Sequence, residues 1–302
     1  MEYQRAPDTA HNSHSKELGG LEGMEINSVV QTGVAFIKKI RETDPWLLVY
    51  SPVPVTLVFV CYLLVVALGP SCMQQRRPLE LRALLVTYNL AMVALSRLRC
   101  VVENVLILGN ALTAVPCAAQ QMARVCWWFF FSKVIELLDT VFLILRKKQE
   151  QVTFLHVYHH GSMIFNWWSG VKYVPGGQAF FIGMLNSFVH IFMYGYYALA
   201  SLGPRMRRYL WWKRYLTILQ LCQFVAVAAH SSYNLFTECP FPDGFNIAVF
   251  LYTLSLLALF LHFYYQTYLR GKRDNKNHHV PFSGMLFYLP LVALMSIEDF
   301  TV

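Results

Sequence analysis

Phe154-Leu155-His156-Val157-Tyr158-His159-His160 opens a stretch, residues 154–173, that is polar enough for hydropathy alone to miss it. Whether this stretch crosses a membrane decides how the chain is organised. His156, His159 and His160 are three and four residues apart, so a helix puts all three imidazoles on one face. Polar side chains at membrane depth are costly and usually face a bundle interior or a water-filled cavity. Three histidines on one such face point to a reaction site or a metal site, and the rest of the chain must distinguish the two.

The surrounding composition belongs to a membrane protein. Hydrophobic residues make up 56% of the 302 residues and charged residues 14%, against about 25% charged in an ordinary soluble domain. A net charge of +8 invites a nucleic-acid reading, but the basic residues sit in clusters between apolar spans, the orientation signal of a membrane protein, and no nucleic-acid motif is present. The seven cysteines include no C-x-x-C pair. Cys61, Cys100, Cys126 and Cys222 fall in apolar spans and read as small hydrophobes. The first 45 residues are polar and lack the basic-then-apolar pattern of a cleaved signal peptide, so targeting is expected to come from a membrane span.

Seven apolar stretches, near 50–69, 83–107, 126–145, 154–173, 179–201, 211–235 and 246–268, approach the ~20 residues that cross a bilayer core. The second is the least clean, because it carries Arg97, Arg99 and Glu103. The connections alternate in charge. The first, third and fifth hold Arg76, Arg77 and Arg82, then Arg146, Lys147 and Lys148, then Arg205, Arg207, Arg208, Lys213 and Arg214; the tail after the seventh span holds Arg270, Lys272, Arg273 and Lys276. The second and fourth hold only Arg124 and Lys172, and the sixth none. This pattern predicts an all-α membrane protein of seven spans with a lumenal N-terminus and a cytosolic C-terminus; the basic patch around Lys38 is the one dissenting feature. Before the spans, residues 1–27 read as a disordered tail, and Val30, Val34 and Ile37 form the apolar stripe of a short interfacial helix. The expected organisation is therefore a tail over 1–45, a membrane domain over 46–270 and a cytosolic tail over 271–302, in which the apolar stretch 281–297 reads as surface-associated, with a marginal eighth crossing as the alternative.

Four of the spans carry polar stripes at helical period. In the third, Lys133, Glu136, Asp139 and Thr140 share a face; a buried Lys/Glu pair serves equally well as a lock between helices. In the fifth, Asn186, His190, Met193, Tyr194 and Tyr197 share a face, and a lone His such as His190 is more often a packing residue. In the sixth, Thr217, Gln220 and Gln223 form a stripe of the kind that also glues helices together. His230 and His262 read as packing histidines. Repetition of such stripes across four spans favours one polar cavity at the bundle centre.

The motifs Lys133-x-x-Glu136-Leu137-x-Asp139-Thr140, His156-x-x-His159-His160, His190-x-x-Met193-Tyr194-x-Tyr196-Tyr197 and Thr217-x-x-Gln220-x-x-Gln223 resemble, in order and spacing, those of the very-long-chain fatty-acid elongase family. The resemblance covers roughly Trp46 to Tyr268. The runs Leu155 to His160 and Tyr209-Leu210-Trp211-Trp212-Lys213-Arg214-Tyr215-Leu216 are similar to the vertebrate branch that prefers polyunsaturated and very long acyl chains. The resemblance implies a seven-helix bundle around an acyl tunnel. It also implies condensation of a fatty acyl-CoA with malonyl-CoA to a 3-ketoacyl-CoA two carbons longer, with release of CO2 and CoA, at the endoplasmic reticulum. Neutral imidazole can accept an acyl group, and the enolate left by decarboxylation needs hydrogen-bond donors in a dry site.

The roles implied are these. His159 and His190 form the central pair, His156 and His160 shape the site, and Glu136 and Asp139 orient imidazoles. Asn186, Tyr194 and Gln220 donate to the thioester or enolate oxygen, with Tyr197 and Gln223 beside them. Lys133, Arg146, Lys147 and Lys148 are candidates for the CoA phosphates, although a topology signal alone would place the last three. No cofactor or metal is expected. The partners implied are fatty acyl-CoA, malonyl-CoA, the other enzymes of the elongation cycle and membrane lipid; homo-oligomerisation is left open. The family commonly links two lumenal loops, which here offer Cys117 and Cys239. The chain departs from the family at its end, Glu298-Asp299-Phe300-Thr301-Val302, which lacks the terminal dilysine, and in a shortened connection between the second and third spans.

Three rivals are weighed. A di-iron desaturase or hydroxylase needs several histidine boxes, and this chain has one. A seven-span receptor or transporter fits the span count but not the four stripes, and Asp-Arg-Tyr and Asn-Pro-x-x-Tyr motifs are absent. A catalytically inactive elongase homologue is disfavoured by the intact histidine motifs.

Overall fold

Ser51 and Pro52 begin the first helix in the way their chemistry suits. The Ser51 hydroxyl accepts the Val53 N–H at 3.2 Å, and Pro52 occupies the first helical position, where a missing N–H costs nothing. In this computed structural model the residues described are 43–112, 117–174, 178–237 and 243–270. The polar tail 1–27, the interfacial helix expected near 30–40, the stretch 281–297, Cys239 and the Cys117 side chain lie outside them. The chain divides at Tyr50 and Ser51 into two units. The described part of the first is a pair of turns, with Trp46 N–H donating to Thr43 at 3.0 Å and Val49 N–H to Trp46 at 3.1 Å.

The described residues of the second unit form seven α-helices: α1 Pro52–Met73, α2 Arg82–Leu112, α3 Cys117–Leu145, α4 Phe154–Tyr173, α5 Gln178–Ser201, α6 Lys213–Phe236 and α7 Asp243–Tyr264, the last running into a π-helical turn over Tyr265–Leu269. Each expected span is one of these helices. The boundaries move most at α2 and α3: α2 continues to Leu112 and α3 starts at Cys117, so both outlast their apolar cores.

Among the described residues, α1, α2 up to Val105, α5 and α7 with its π extension are the helices long and apolar enough by composition to cross a membrane. The other three, α3, α4 and α6, carry the Lys133–Asp139 stripe, the histidine triplet and the Thr217–Gln223 stripe. They fall short because they hold the charged and polar groups of the site.

Packing among α2 to α7 closes on itself. α2 meets α3, α3 meets α4, α4 meets α7, α7 meets α6, α6 meets α5, and α5 returns to α2 in the most extensive contact of the set. α1 stands outside this circuit, against α3 and α4, and most of its surface is exposed, as suits a helix apolar all round. α1 reaches α4 over Gly161. A Cβ there would come within 2.8 Å of the Phe59 ring, so the small residue is what permits the approach. Gly161→Leu is expected to push α1 away at a cost of about 1–3 kcal/mol, read as a lower melting temperature of the purified protein. An unchanged melting temperature would show that α1 is not held here.

Local signals set the ends of the site helices. Thr153 caps α4, its hydroxyl accepting the His156 N–H at 3.3 Å, so the cap and the histidine motif share a turn. α3 ends in a left-handed residue, Lys147, with φ 55°; Lys147 N–H bonds Ile144 O at 2.9 Å and Lys148 N–H bonds Leu143 O at 2.8 Å, the double closure that satisfies terminal carbonyls. The α1–α2 connection is tied to the same place by Leu79 N–H on Leu145 O at 3.0 Å and Lys147 Nζ on Gln74 O at 3.0 Å.

Candidate active site

Lys133 organises the centre. Its ammonium, 2% exposed, donates to both oxygens of Glu136, at 2.9 and 3.0 Å, and to Asn186 Oδ1 at 2.9 Å. All three donors of a buried cation are thereby used, which is the condition for holding such a charge in a low-dielectric interior. The Asn186 bond joins α3 to α5. Phe129, one turn earlier on α3, lies under the ammonium, 4.6 Å from ring centroid to Nζ, and adds a cation–π contact.

Histidines from two other helices reach this cluster. His190 of α5 is buried, and its Nδ1 lies 3.5 Å from Glu136 Oε1. Among the described residues Nδ1 makes no hydrogen bond, so the approach is electrostatic. His156 of α4 is fixed through Nε2, 2.8 Å from Thr140 Oγ1, and Thr140 in turn lies 3.3 Å from the Tyr62 hydroxyl of α1. His160 stacks on His156 at 4.4 Å between centroids and meets His159 edge-on at 5.3 Å. The His159 ring also meets Phe260 of α7 at 6.4 Å. No hydrogen bond among the described residues involves a ring nitrogen of His159 or His160, so neither lone pair is committed to the protein.

The second carboxylate is held separately. Asp139 Oδ2 accepts the Tyr194 hydroxyl at 2.9 Å, a second α3–α5 link, and the Tyr194 ring is wholly buried with Tyr88 of α2 and Tyr197 edge-on against it. Gln220 of α6 donates to Met193 Sδ at 3.6 Å, and Thr217 lies 3.4 Å from the Tyr268 hydroxyl. Gln223 is buried on the same helix, whereas Tyr197 keeps 42% of its surface exposed. The basic trio diverges: Arg146 is half-buried, Lys147 is engaged with Gln74, and Lys148 faces Glu150 at 3.8 Å with both side chains exposed. The polar stripes of α3, α4 and α5 thus meet, and α6 joins through Met193.

A family profile, ELO: GNS1/SUR4 family, matches residues 47–276. The chain belongs to this family. It is 45% identical over 244 residues to very long chain fatty acid elongase 4 of Homo sapiens, covering 77% of each chain. It is 42% identical over 253 residues to very long chain fatty acid elongase 7 of Rattus norvegicus, covering 78% of this chain and 89% of that one. Against very long chain fatty acid elongase 2 of Mus musculus the identity is 44% over 231 residues, covering 74% and 78% respectively.

Several polar groups of this ELO-family chain escape a reading by motif. Tyr62 lies in the most apolar helix and gives no sequence signal. Tyr158 and Ser162 of α4 do: they bond across to α7, Tyr158 hydroxyl to Ser255 at 3.0 Å and Ser162 to the Tyr252 hydroxyl at 2.8 Å, and the pairs 158/162 and 252/255 have helical spacing. Ser96, Arg99 and Glu103 form a buried stripe on α2 at spacings of three and four, visible in the sequence as what made that span untidy. Arg99 donates to Ser132 at 2.6 Å and to Ser96 at 3.3 Å.

Proposed function

We propose that the chain is the condensing enzyme of fatty-acid elongation, a very-long-chain 3-oxoacyl-CoA synthase. It would join a long-chain acyl-CoA to malonyl-CoA and yield a 3-ketoacyl-CoA two carbons longer, CO2 and CoA. The relatives are elongases by name. The observations that support the reading at atomic level are His190 of α5 set 3.5 Å from Glu136 of the Lys133–Glu136–Asn186 cluster, and the His156, His160 and His159 rings of α4 running from Thr140 of the same α3 face.

In this reading His159 is the acyl acceptor. An uncommitted imidazole nitrogen attacks the thioester carbon, the C–S bond breaks, and CoA leaves as the thiol with the proton the imidazole loses. Loss of CO2 from malonyl-CoA gives the enolate, whose carbon attacks the acyl-imidazole; the C–N bond breaks and His159 leaves as neutral imidazole, taking up one proton from solvent, so that the net reaction consumes one proton. His190, set against Glu136, assists the malonyl step, while His156 and His160 fix the ring positions. Asn186, Tyr194 and Gln220 supply donors for oxyanions, with Tyr197 and Gln223 beside them, and Lys133 maintains the electrostatics of the site. Arg146, Lys147 and Lys148, just beyond α3, are the candidate cations for the CoA phosphates, with Lys147 engaged on Gln74 O. No cofactor is needed for this sequence of steps.

The acyl chain would run between α2 and α7 inside the helical circuit. Seven crossings, a lumenal N-terminus, residence in the endoplasmic reticulum and a preference for polyunsaturated chains belong to the same proposal, supported by the charge alternation and the family resemblance. The direct experiment uses membranes from cells expressing the chain, labelled malonyl-CoA and acyl-CoAs from C16 to C26. A labelled 3-ketoacyl product two carbons longer is expected for part of that panel. No extension of any of them would overturn the proposal.

A further inference from the structure

Two cations share one aromatic ring beside the site. The Phe129 ring of α3 has Lys133 Nζ 4.6 Å from its centroid and Arg99 Cζ of α2 4.7 Å from it. Phe129 is 1% exposed. Ser132, one turn on, donates to Phe129 O at 2.7 Å and accepts from Arg99 at 2.6 Å, so guanidinium and ring belong to one unit. Trp167 of α4 lies tilted against the ring, 4.1 Å between centroids. Gly183 of α5 leaves room for the pair: a Cβ there would stand 3.5 Å from Trp167 and 3.6 Å from Phe129. Four helices, α2 to α5, therefore meet at this residue.

Lys133 has no donor left for a further oxygen, since Glu136 takes two and Asn186 the third. The carboxylate draws Nζ toward the Glu136–His190 side, and the ring attracts it from one turn back along α3. A π face attracts a cation through its quadrupole without accepting a proton or using a donor, and the attraction is largest where water is excluded. Like charges in one buried layer repel, and the ring is the partner that Lys133 and Arg99 have in common. A leucine would occupy much of the same space and offer no such face. The ring thus sets where Nζ stops, and with it the carboxylate that stands 3.5 Å from His190.

We propose that Phe129 is a positioning residue for the malonyl half of the reaction: its π face places Lys133, Lys133 places Glu136, and Glu136 places His190. This rests on the condensing reading above. His159 is outside this series of contacts, because no hydrogen bond among the described residues ties its ring to Lys133 or Glu136. Acyl transfer to His159 is therefore independent of the ring's quadrupole.

The test replaces Phe129 with mono-, di- and trifluorophenylalanine in the full chain by amber suppression. Fluorination weakens the quadrupole stepwise and nearly preserves the shape of the ring. Two rates are read on each protein: the burst of CoA released from acyl-CoA alone, and the labelled 3-ketoacyl-CoA formed when malonyl-CoA is then added. The second should fall stepwise, by about tenfold over the series, the scale of a desolvated cation–π contact, while the first stays within about twofold of wild type. The same series at Phe188, an exposed position on α5, should leave both rates unchanged. Should the trifluoro protein not accumulate, Phe129→Leu takes its place, with the CoA burst kept and condensation reduced by at least about tenfold. A flat series, or a fall shared equally by both rates, would overturn the proposal and leave the condensing reading standing. A wild-type protein that extends no acyl-CoA would overturn both.

Discussion

His159→Ala is expected to abolish condensation, by about a thousandfold or more, while the protein still accumulates in membranes. Removal of a nucleophile leaves only the catalysis supplied by binding and oxyanion donors, and in hydrolases with a covalent step that loss is several orders of magnitude. The structural cost should be small, because no hydrogen bond to another described residue ends on the His159 ring, whose described ring contacts are with His160 and Phe260. His156→Ala makes the contrast. Its Nε2 is committed to Thr140, so its loss should lower activity less and stability more. The measurement is product formed from labelled malonyl-CoA per unit of membrane protein, with expression level and melting temperature alongside. Comparable activity in His159→Ala and wild type would remove this residue from the chemistry.

Lys133→Met should destabilise the protein by about 3–5 kcal/mol, because it strands Glu136 as an uncompensated buried charge. Glu136→Gln alone should strand Lys133 in the same way. The double variant, Lys133→Met with Glu136→Gln, should recover most of the lost stability, since a neutral pair carries no such charge. It should not recover activity, because Glu136 also faces His190 at 3.5 Å. Thermal unfolding of all four proteins in detergent gives the coupling directly. If the double variant is as unstable as the sum of the singles, the pair does not act as a unit; if it is fully active, the carboxylate has no role beyond holding Lys133.

The helices were legible in the sequence because a span reports itself by length and apolarity. α1, α5 and α7 follow from that alone. α4 does not, and its place came from the helical spacing of His156, His159 and His160 together with the charge alternation of the connections. The extension of α3 back to Cys117 was not legible, since Arg124 reads as a loop residue until it is seen on a helix. Within the site, stripes at spacings of three and four announced Lys133, Glu136 and His190, but spacing says which face a residue occupies and nothing of what it meets. That Lys133 spends its third donor on Asn186, or that Tyr194 serves Asp139 rather than a substrate oxygen, depends on how helices distant in sequence pack. Arg99 shows the limit most plainly: a charge in an apolar run marks a cost, and only the packing shows that Ser132, Ser96 and the Phe129 ring are what meet it.

The central claim is that imidazoles from α4 and α5 converge on one thioester carbon and that His159 takes the acyl group. The most direct measurement incubates purified protein with acyl-CoA in the absence of malonyl-CoA, quenches rapidly, and reads peptide mass and released CoA. An acyl adduct on His159 is predicted, formed with one equivalent of CoA, absent from His159→Ala and discharged as 3-ketoacyl-CoA when malonyl-CoA is added. Turnover without any acyl adduct, or an adduct carried by a different residue, would contradict the account.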